Sequence, residues 1–149
     1  MWQLTDDYSW EHLRRRFYWI RALQGVPQDP TYHAEGDVET HTRLVLEALQ
    51  ALPEFGALPQ QDQHLLRAAA LLHDVEKPST TRREADGSIS ARGHAKKGEL
   101  SSRSILYLDI PTPSRCGNKF AGWCATTACP SGCLIAPTRA RPLLKPAWR

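Results

Sequence analysis

Residues 67 to 78, Arg-Ala-Ala-Ala-Leu-Leu-His-Asp-Val-Glu-Lys-Pro, end an apolar run in an imidazole followed at once by a carboxylate, His73 and Asp74, and Pro78 supplies the stop. A second imidazole, His41, lies upstream in Val-Glu-Thr-His-Thr, behind a stretch that holds His33, Glu35 and Asp37. Neutral imidazoles with a carboxylate suit a divalent transition metal, or Mg2+ where oxygen ligands and water dominate. Such an ion lowers the pKa of a bound water and stabilises a phosphoryl oxygen as charge builds on it. Phosphate ester hydrolysis is the chemistry this set would serve, whereas a single His on an apolar helix would ordinarily be structural.

Helices must position these groups. In residues 7 to 24, Trp10, Leu13, Phe17, Ile20 and Leu23 recur at three- and four-residue steps, which predicts one amphipathic helix ended by Gly25 and Pro27. Arg14, Arg15 and Arg16 fan around its polar side and read as a solvated face. Residues 28 to 37 read as a loop. Helical spacing resumes with Val38, Val45, Leu46 and Leu49, so His41 falls in the first turns of a second helix while His33, Glu35 and Asp37 stand on the loop that enters it.

After a connector punctuated by Pro and Gly at 52 to 59, a third helix is predicted over about 60 to 75. Leu65, Ala69 and Leu72 form its inner face, and His73 and Asp74 stand at its end. Two helices joined by a short loop pack antiparallel, which brings His41 toward His73 and Asp74. Residues 79 to 92, with Asp86-Gly87 between two short polar segments, predict a β-hairpin. A fourth helix opens at His94 and runs to about 108 on Leu100, Ile105 and Leu106, and His12 and His64 read as surface residues. The predicted fold class is all-α with one short hairpin.

The 149 residues suit one domain. No apolar run approaches the roughly 18 residues of a membrane-spanning helix, and the first residues lack the order of a signal peptide, so no membrane partner and a cytoplasmic location are expected. The overall charge of +3 hides a break in composition. Residues 1 to 106 carry 13 Lys/Arg against 15 Asp/Glu, a net of −2, whereas 107 to 149 carry 6 against 1, a net of +5. The second part also holds all four cysteines, six of the eleven prolines and no histidine. Cys116, Cys124, Cys129 and Cys133 are separated by seven, four and three residues, without the Cys-x-x-Cys knuckle of a zinc module.

The segment from His33 to Glu99, with His-Ala-Glu-Gly-Asp-Val-x-Thr-His-Thr, Ala-Leu-Leu-His-Asp-Val-x-Lys-Pro, Asp-Gly and Gly-His-Ala, resembles the HD superfamily of metal-dependent phosphohydrolases. Within it the likeness is to the HD domain of bacterial tRNA nucleotidyltransferases and poly(A) polymerases, and to HD domains that precede a P-loop kinase-like ATPase. The resemblance implies an HD-type helical bundle and a divalent metal (Mn, Mg, Fe or Ni). It implies His41 as first ligand, His73 and Asp74 as the signature doublet, and Asp74 and Lys77 as catalytic groups. Lys77 and His94 would lie near the substrate phosphate, or His94 on a second metal. His33, Glu35 and Asp37 would stand on the substrate side, or shape the loop by hydrogen bonding.

The substrate implied is a nucleotide or the 3′-end phosphate of an RNA. The alternative is a non-catalytic nucleotide- or tRNA-binding module that assists a nucleotidyltransferase or P-loop kinase partner. Two departures from the family pattern stand out. The last ligand, an Asp on a later helix, has no match. Glu76 replaces a Gly that would suit a left-handed helix cap, at an expected cost of about 1 kcal/mol, with Lys77 as its expected ion partner.

The composition break has an explanation without a second function. Back-translated with GC-rich codons and read two bases later, the residues from 123 onward yield His-His-Gly-Leu-Pro, a pattern expected of the next HD-domain helix and loop. The tail therefore reads as family sequence in a shifted frame, with the shift between about Pro111 and Cys116. The domain reading is an HD-type unit over 1–110, lacking its last helices, and an irregular tail over 111–149. Impaired phosphohydrolase activity is the expected consequence.

Overall fold

Phe17 divides the first amphipathic stretch in two. In the computed structural model, which describes residues 1 to 110, α1 (Trp10–Arg16) and α2 (Tyr18–Arg21) replace the single helix expected over 7 to 24. Phe17 adopts φ −109° and ψ 114°, an extended conformation that interrupts the hydrogen-bond ladder. The apolar stripe survives the break, for Leu13, Phe17, Ile20 and Leu23 are all buried. The guanidinium of Arg21 donates to the carbonyls of Arg14 at 2.8 Å and Arg15 at 3.0 Å, two acceptors at the end of α1 that its own backbone leaves open. Ahead of α1 the N-terminal residues lie along a later helix, with Trp2 and Leu4 buried and the Trp2 backbone exchanging hydrogen bonds with the Gln61 amide at 2.8 and 2.9 Å.

Helix α3 (Val38–Ala51) starts where the spacing predicts. Asp37 is its N-cap: Oδ1 accepts from the Thr40 N–H at 2.9 Å, and Oδ2 accepts from the Gly25 N–H at 2.7 Å, tying the end of the α2 turn to the start of α3. A single turn, α4 (Pro53–Gly56), leads into α5 (Gln60–Leu72), with Pro59 as its N-cap and His73 as its C-cap. The two long helices run antiparallel, since His41 near the start of α3 faces Asp74 just past the end of α5. Leu46 and Leu49 from α3, Leu65, Ala68, Leu71 and Leu72 from α5, and Leu13 and Ile20 share one core. Burying a leucine such as Leu71 or Leu72 contributes about 1.5–3 kcal/mol, so this seam outweighs helix propensity.

The buried arc of α5 is wider than the stripe expected from its sequence. Ala68 and Leu71 are fully buried while Ala69 is only partly so. His64, read as a surface residue, is buried, because the N-terminal segment covers that side of α5 and the Tyr8 ring lies near parallel to the imidazole at 6.5 Å. His12 is half-buried and within 3.2 Å of the Thr5 hydroxyl.

Past the end of α5 comes a short turn, α6 (Lys77–Thr80), then the predicted hairpin, reduced to two residues per strand. Strand β1 (Arg82–Arg83) pairs antiparallel with β2 (Ile89–Ser90), Arg82 opposite Ser90 and Arg83 opposite Ile89. The turn uses Gly87 at φ 86°, and Asp86 Oδ1 accepts from the Ser88 backbone at 2.9 Å. Helix α7 (His94–Ser104) runs into a π-helical turn (Ile105–Asp109), which buries Ile105 and Leu106. Its inner face is made of small residues, Ala95, Gly98 and Ser102, so that Leu100, expected inside, is 65% exposed.

The described residues are thus mostly helical with one two-stranded ribbon. Among them no helix is long and apolar enough to cross a membrane. The four cysteines, the frame-shift reading and the tail over 111–149 lie outside the described residues.

Candidate metal centre

Asp74 is the hub. Its side chain is almost wholly buried, and four basic groups from three segments surround it. His73 Nε2 and Lys77 Nζ lie 3.1 and 2.9 Å from Oδ2, and His41 Nε2 lies 3.8 Å from the same oxygen. His94 Nε2 lies 3.5 Å from Oδ1. The adjacency of His73 and Asp74 at the end of α5 comes from local sequence, His41 arrives by the antiparallel pairing of α3, and His94 is the first residue of α7, placed by the left-handed turn at Gly93 (φ 79°). Lys77 follows one turn after Asp74.

All three imidazoles are held from behind by their other nitrogen. His73 Nδ1 donates to the Ala70 carbonyl at 2.8 Å, His94 Nδ1 to the Ala91 carbonyl at 2.6 Å, and His41 Nδ1 to Glu35 Oε1 at 2.5 Å. A carbonyl or an ionised carboxylate can only accept, so each of these bonds takes its proton from Nδ1, and each Nε2 faces the Asp74 carboxylate, where a cation or a second proton would stand between them. Ligand atoms of His41, His73 and Asp74 lie within 4.8 Å of one another.

The donor set fits a divalent cation on a further ground. Asp74 Oδ2 is buried and accepts no aligned hydrogen bond, although basic nitrogens stand at pairing distance. Those charges offset its burial, and the missing aligned donor leaves its lone pairs open to a cation. His41, His73 and Asp74 would hold the ion, with His94 facing the other carboxylate oxygen.

Without an ion, electrostatics favour a charged His73 paired with an ionised Asp74 and a neutral His41, so a metal would have to displace the His73 proton. Burial pushes the Asp74 carboxyl up, but the charges of His73 and Lys77 outweigh it and hold Asp74 well below the usual carboxylate range. Burial pulls His73 down, and the Asp74 charge more than compensates, leaving it raised. In His41 burial prevails over the bond to Glu35, so its pKa is lowered, the direction that keeps a ligand imidazole neutral. Burial also raises Glu35, yet hydrogen bonds from its own backbone, His41 and His33 bring it down to about 2.

The other predicted site residues occupy a second layer or lie aside. His33 Nδ1 is 3.1 Å from the same Glu35 oxygen that accepts from His41, and the His33 and His41 rings meet edge to face at 4.8 Å. Asp37 does not join the cluster, since both of its oxygens are taken by the Thr40 and Gly25 N–H groups. Glu76 corrects two expectations. It sits at φ −101° and ψ 2°, so no left-handed residue is required there, and its ion partner is Lys97 at 2.9 Å. The Ser79 and Ser101 hydroxyls also donate to it, joining α6 to α7. Lys77 turns the other way, to Asp74 and to Gln28, whose Oε1 accepts from Nζ at 2.6 Å. Gln28 was not legible as a site residue: it lies 49 positions away, in a loop without a motif.

The chain is similar to parts of several multifunctional CCA proteins. It is 38% identical over 87 residues to that of Halorhodospira halophila, covering 58% of this chain and 18% of the relative. For Pasteurella multocida the figures are 35% over 86 residues, 58% and 19%, and for Legionella pneumophila (strain Paris) 33% over 97 residues, 64% and 21%. The chain therefore spans about a fifth of the length of the curated relatives it matches. No family model matches the chain, and no solved structure matches it significantly.

Proposed function

We propose that residues 1 to 110 form an HD-type domain that binds one divalent metal and belongs to the phosphohydrolase class acting on nucleotide or RNA phosphate esters. The observation that carries this reading is the convergence of three Nε2 atoms on the buried Asp74 carboxylate, one of whose oxygens has no aligned donor. When bound, the ion supplies an acidified water and a positive charge for a phosphoryl oxygen. His41, His73 and Asp74 hold it. Lys77, buried at the rim of the cluster and steadied by Gln28, adds positive charge where a phosphate would approach. His94 stands on the opposite side of the carboxylate and is the second phosphate-side group.

The similarity to multifunctional CCA proteins supports a role connected with tRNA 3′ ends, and with it an RNA substrate. Hydrolysis by this chain should be weak, because the last Asp ligand has no counterpart in the frame as read, and the tail over 111–149 is read as out of frame. Sequencing the gene across codons 111 to 116 tests the latter: an intact downstream frame at the same locus is expected, and its absence removes the frame-shift reading.

The metal reading is tested by elemental analysis and Mn2+ titration of the full chain, together with turnover of a phosphomonoester and a cyclic nucleotide. One Mn2+ per chain, lost in Asp74→Ala, is the expected result. A chain that takes up no Mn2+, Fe2+, Ni2+ or Mg2+, and whose stability is indifferent to chelator, would instead be the non-catalytic module that assists a nucleotidyltransferase or kinase.

A further inference from the structure

We propose that Glu35 is a positioning residue whose carboxylate selects the Nδ1–H tautomer of His41 and thereby aims the Nε2 lone pair at Asp74. This rests on the reading of His41 as a metal ligand. The three imidazoles around Asp74 are not anchored alike: His73 and His94 donate to the backbone carbonyls of Ala70 and Ala91, acceptors that no side-chain substitution removes. His41 alone depends on a side chain, and that side chain comes from the loop ahead of α3.

Two contacts fit Glu35 to this task. Its Oε1 is 2.5 Å from His41 Nδ1, a close contact to a carboxylate acceptor. His33 Nδ1, 3.1 Å from the same oxygen, holds the carboxylate from the far side, so Glu35 does not swing free. A ligand imidazole backed by a carboxylate is more basic and better oriented than an unsupported one.

The competing reading is that His33, Glu35 and His41, whose ligand atoms also lie within 4.8 Å of one another, hold a second cation of their own. The single 2.5 Å contact from His41 Nδ1 leaves no room for an ion between ring and carboxylate, which favours the hydrogen bond.

The experiment uses the full chain with uniform nitrogen-15 labelling. Imidazole nitrogen shifts are recorded on metal-free protein, above the pH at which the rings are charged, for the unaltered chain, Glu35→Ala and Glu35→Gln. Mn2+ affinity is measured on the same samples. In the unaltered chain His41, His73 and His94 should all be Nδ1–H. In Glu35→Ala, His41 should shift toward the Nε2–H form that free histidine favours, while His73 and His94 stay unchanged as internal controls. Mn2+ affinity should fall about 10–100-fold. Glu35→Gln keeps a neutral acceptor oxygen and should restore most of the tautomer with an intermediate affinity.

An Nε2–H His41 in the unaltered chain, or a His41 tautomer that Glu35→Ala does not move, overturns the inference. So does a simultaneous change at His73 and His94, which would mark a general collapse of the site, and so does binding of two Mn2+ with one lost in Glu35→Ala, which would make Glu35 a ligand. Failure of the unaltered chain to bind Mn2+ removes the metal reading of His41 but leaves the tautomer result to decide the role of Glu35.

Discussion

Asp74→Asn isolates what the buried carboxylate does before any metal arrives. The substitution is nearly isosteric, so it opens no cavity and its effect is electrostatic. Lys77 Nζ stands 2.9 Å from Oδ2, and at an effective dielectric constant of about 20 that pair gains about 6 kcal/mol of gross attraction, before the cost of desolvating both groups. Lys77 is only 8% exposed and would keep only neutral acceptors, Gln28 Oε1 and the amide oxygen of the new side chain, with no charge to match its own. Removing one member of a buried pair costs about 3–5 kcal/mol, and relief from burying the carboxylate, which burial alone pushes toward protonation, places this case near about 3 kcal/mol. That is a large part of the about 5–15 kcal/mol that holds a domain together.

The assay is urea unfolding at neutral pH with excess chelator, for Asp74→Asn, Lys77→Met and the double variant. The single Asp74→Asn should lose about 3 kcal/mol, and the double variant should recover at least about 1.5 kcal/mol of the summed losses, since removing the amine removes the unpaired charge. A loss below about 1 kcal/mol for Asp74→Asn, or losses that simply add to within about 0.5 kcal/mol, would refute the view that Asp74 and Lys77 sustain each other in the metal-free protein.

Adding Mn2+ to about one hundred times its dissociation constant should raise the stability of the unaltered chain by about 2.7 kcal/mol and leave Asp74→Asn unmoved, as read from unfolding midpoints with and without metal. Glu76→Gly, which restores the residue usual in the HD superfamily, should destabilise by about 1–2 kcal/mol, because no left-handed backbone is needed at φ −101° and the tie to Ser79, Lys97 and Ser101 is lost; a stabilised variant in urea unfolding would contradict this. His64→Leu should match or exceed the unaltered chain at pH 7, and the gap should widen toward about pH 5. Burial lowers the His64 pKa, so the folded state resists the proton that the unfolded chain accepts below its ordinary value of 6.5; a gap that narrows on acidification counts against it. At lower pH, the depressed carboxyls of Glu35 and Asp74 contribute stability that is complete above their ordinary values of 4.5 and 3.8 and is lost as pH falls below them, toward about 2 for Glu35. Glu35→Gln should show a shallower decline in acid titration of the unfolding midpoint.

Much of the scaffold is readable without coordinates, because it is decided over a few residues at a time. The apolar steps of α3 and α5 and the Asp86-Gly87 turn act through contacts within one or two turns of chain. The break at Phe17 escapes such reading because the stripe continues in phase across it. The interruption shows only in the backbone angles and in Arg21 reaching back to the carbonyls of α1. Burial of His64 escapes it too, since the covering residues come from the N-terminal segment, far away in sequence.

For the candidate centre the sequence by itself determined the order and types of the groups: an imidazole near one helix start, an imidazole and carboxylate at the next helix end, and a lysine one turn later. Tertiary structure decided what each group faces. Lys77 has two acidic residues just before it in sequence, Asp74 three positions earlier and Glu76 one. Only the packing of α6 against α7 sends Glu76 to Lys97 and leaves Lys77 for Asp74 and Gln28. Glu35 and Asp37 are two residues apart and chemically alike, yet one backs His41 and the other caps α3. The physical reason is the same in both cases: charge and hydrogen-bonding capacity belong to the residue, but direction belongs to the backbone that carries it, and that direction is set only when distant helices close on one another.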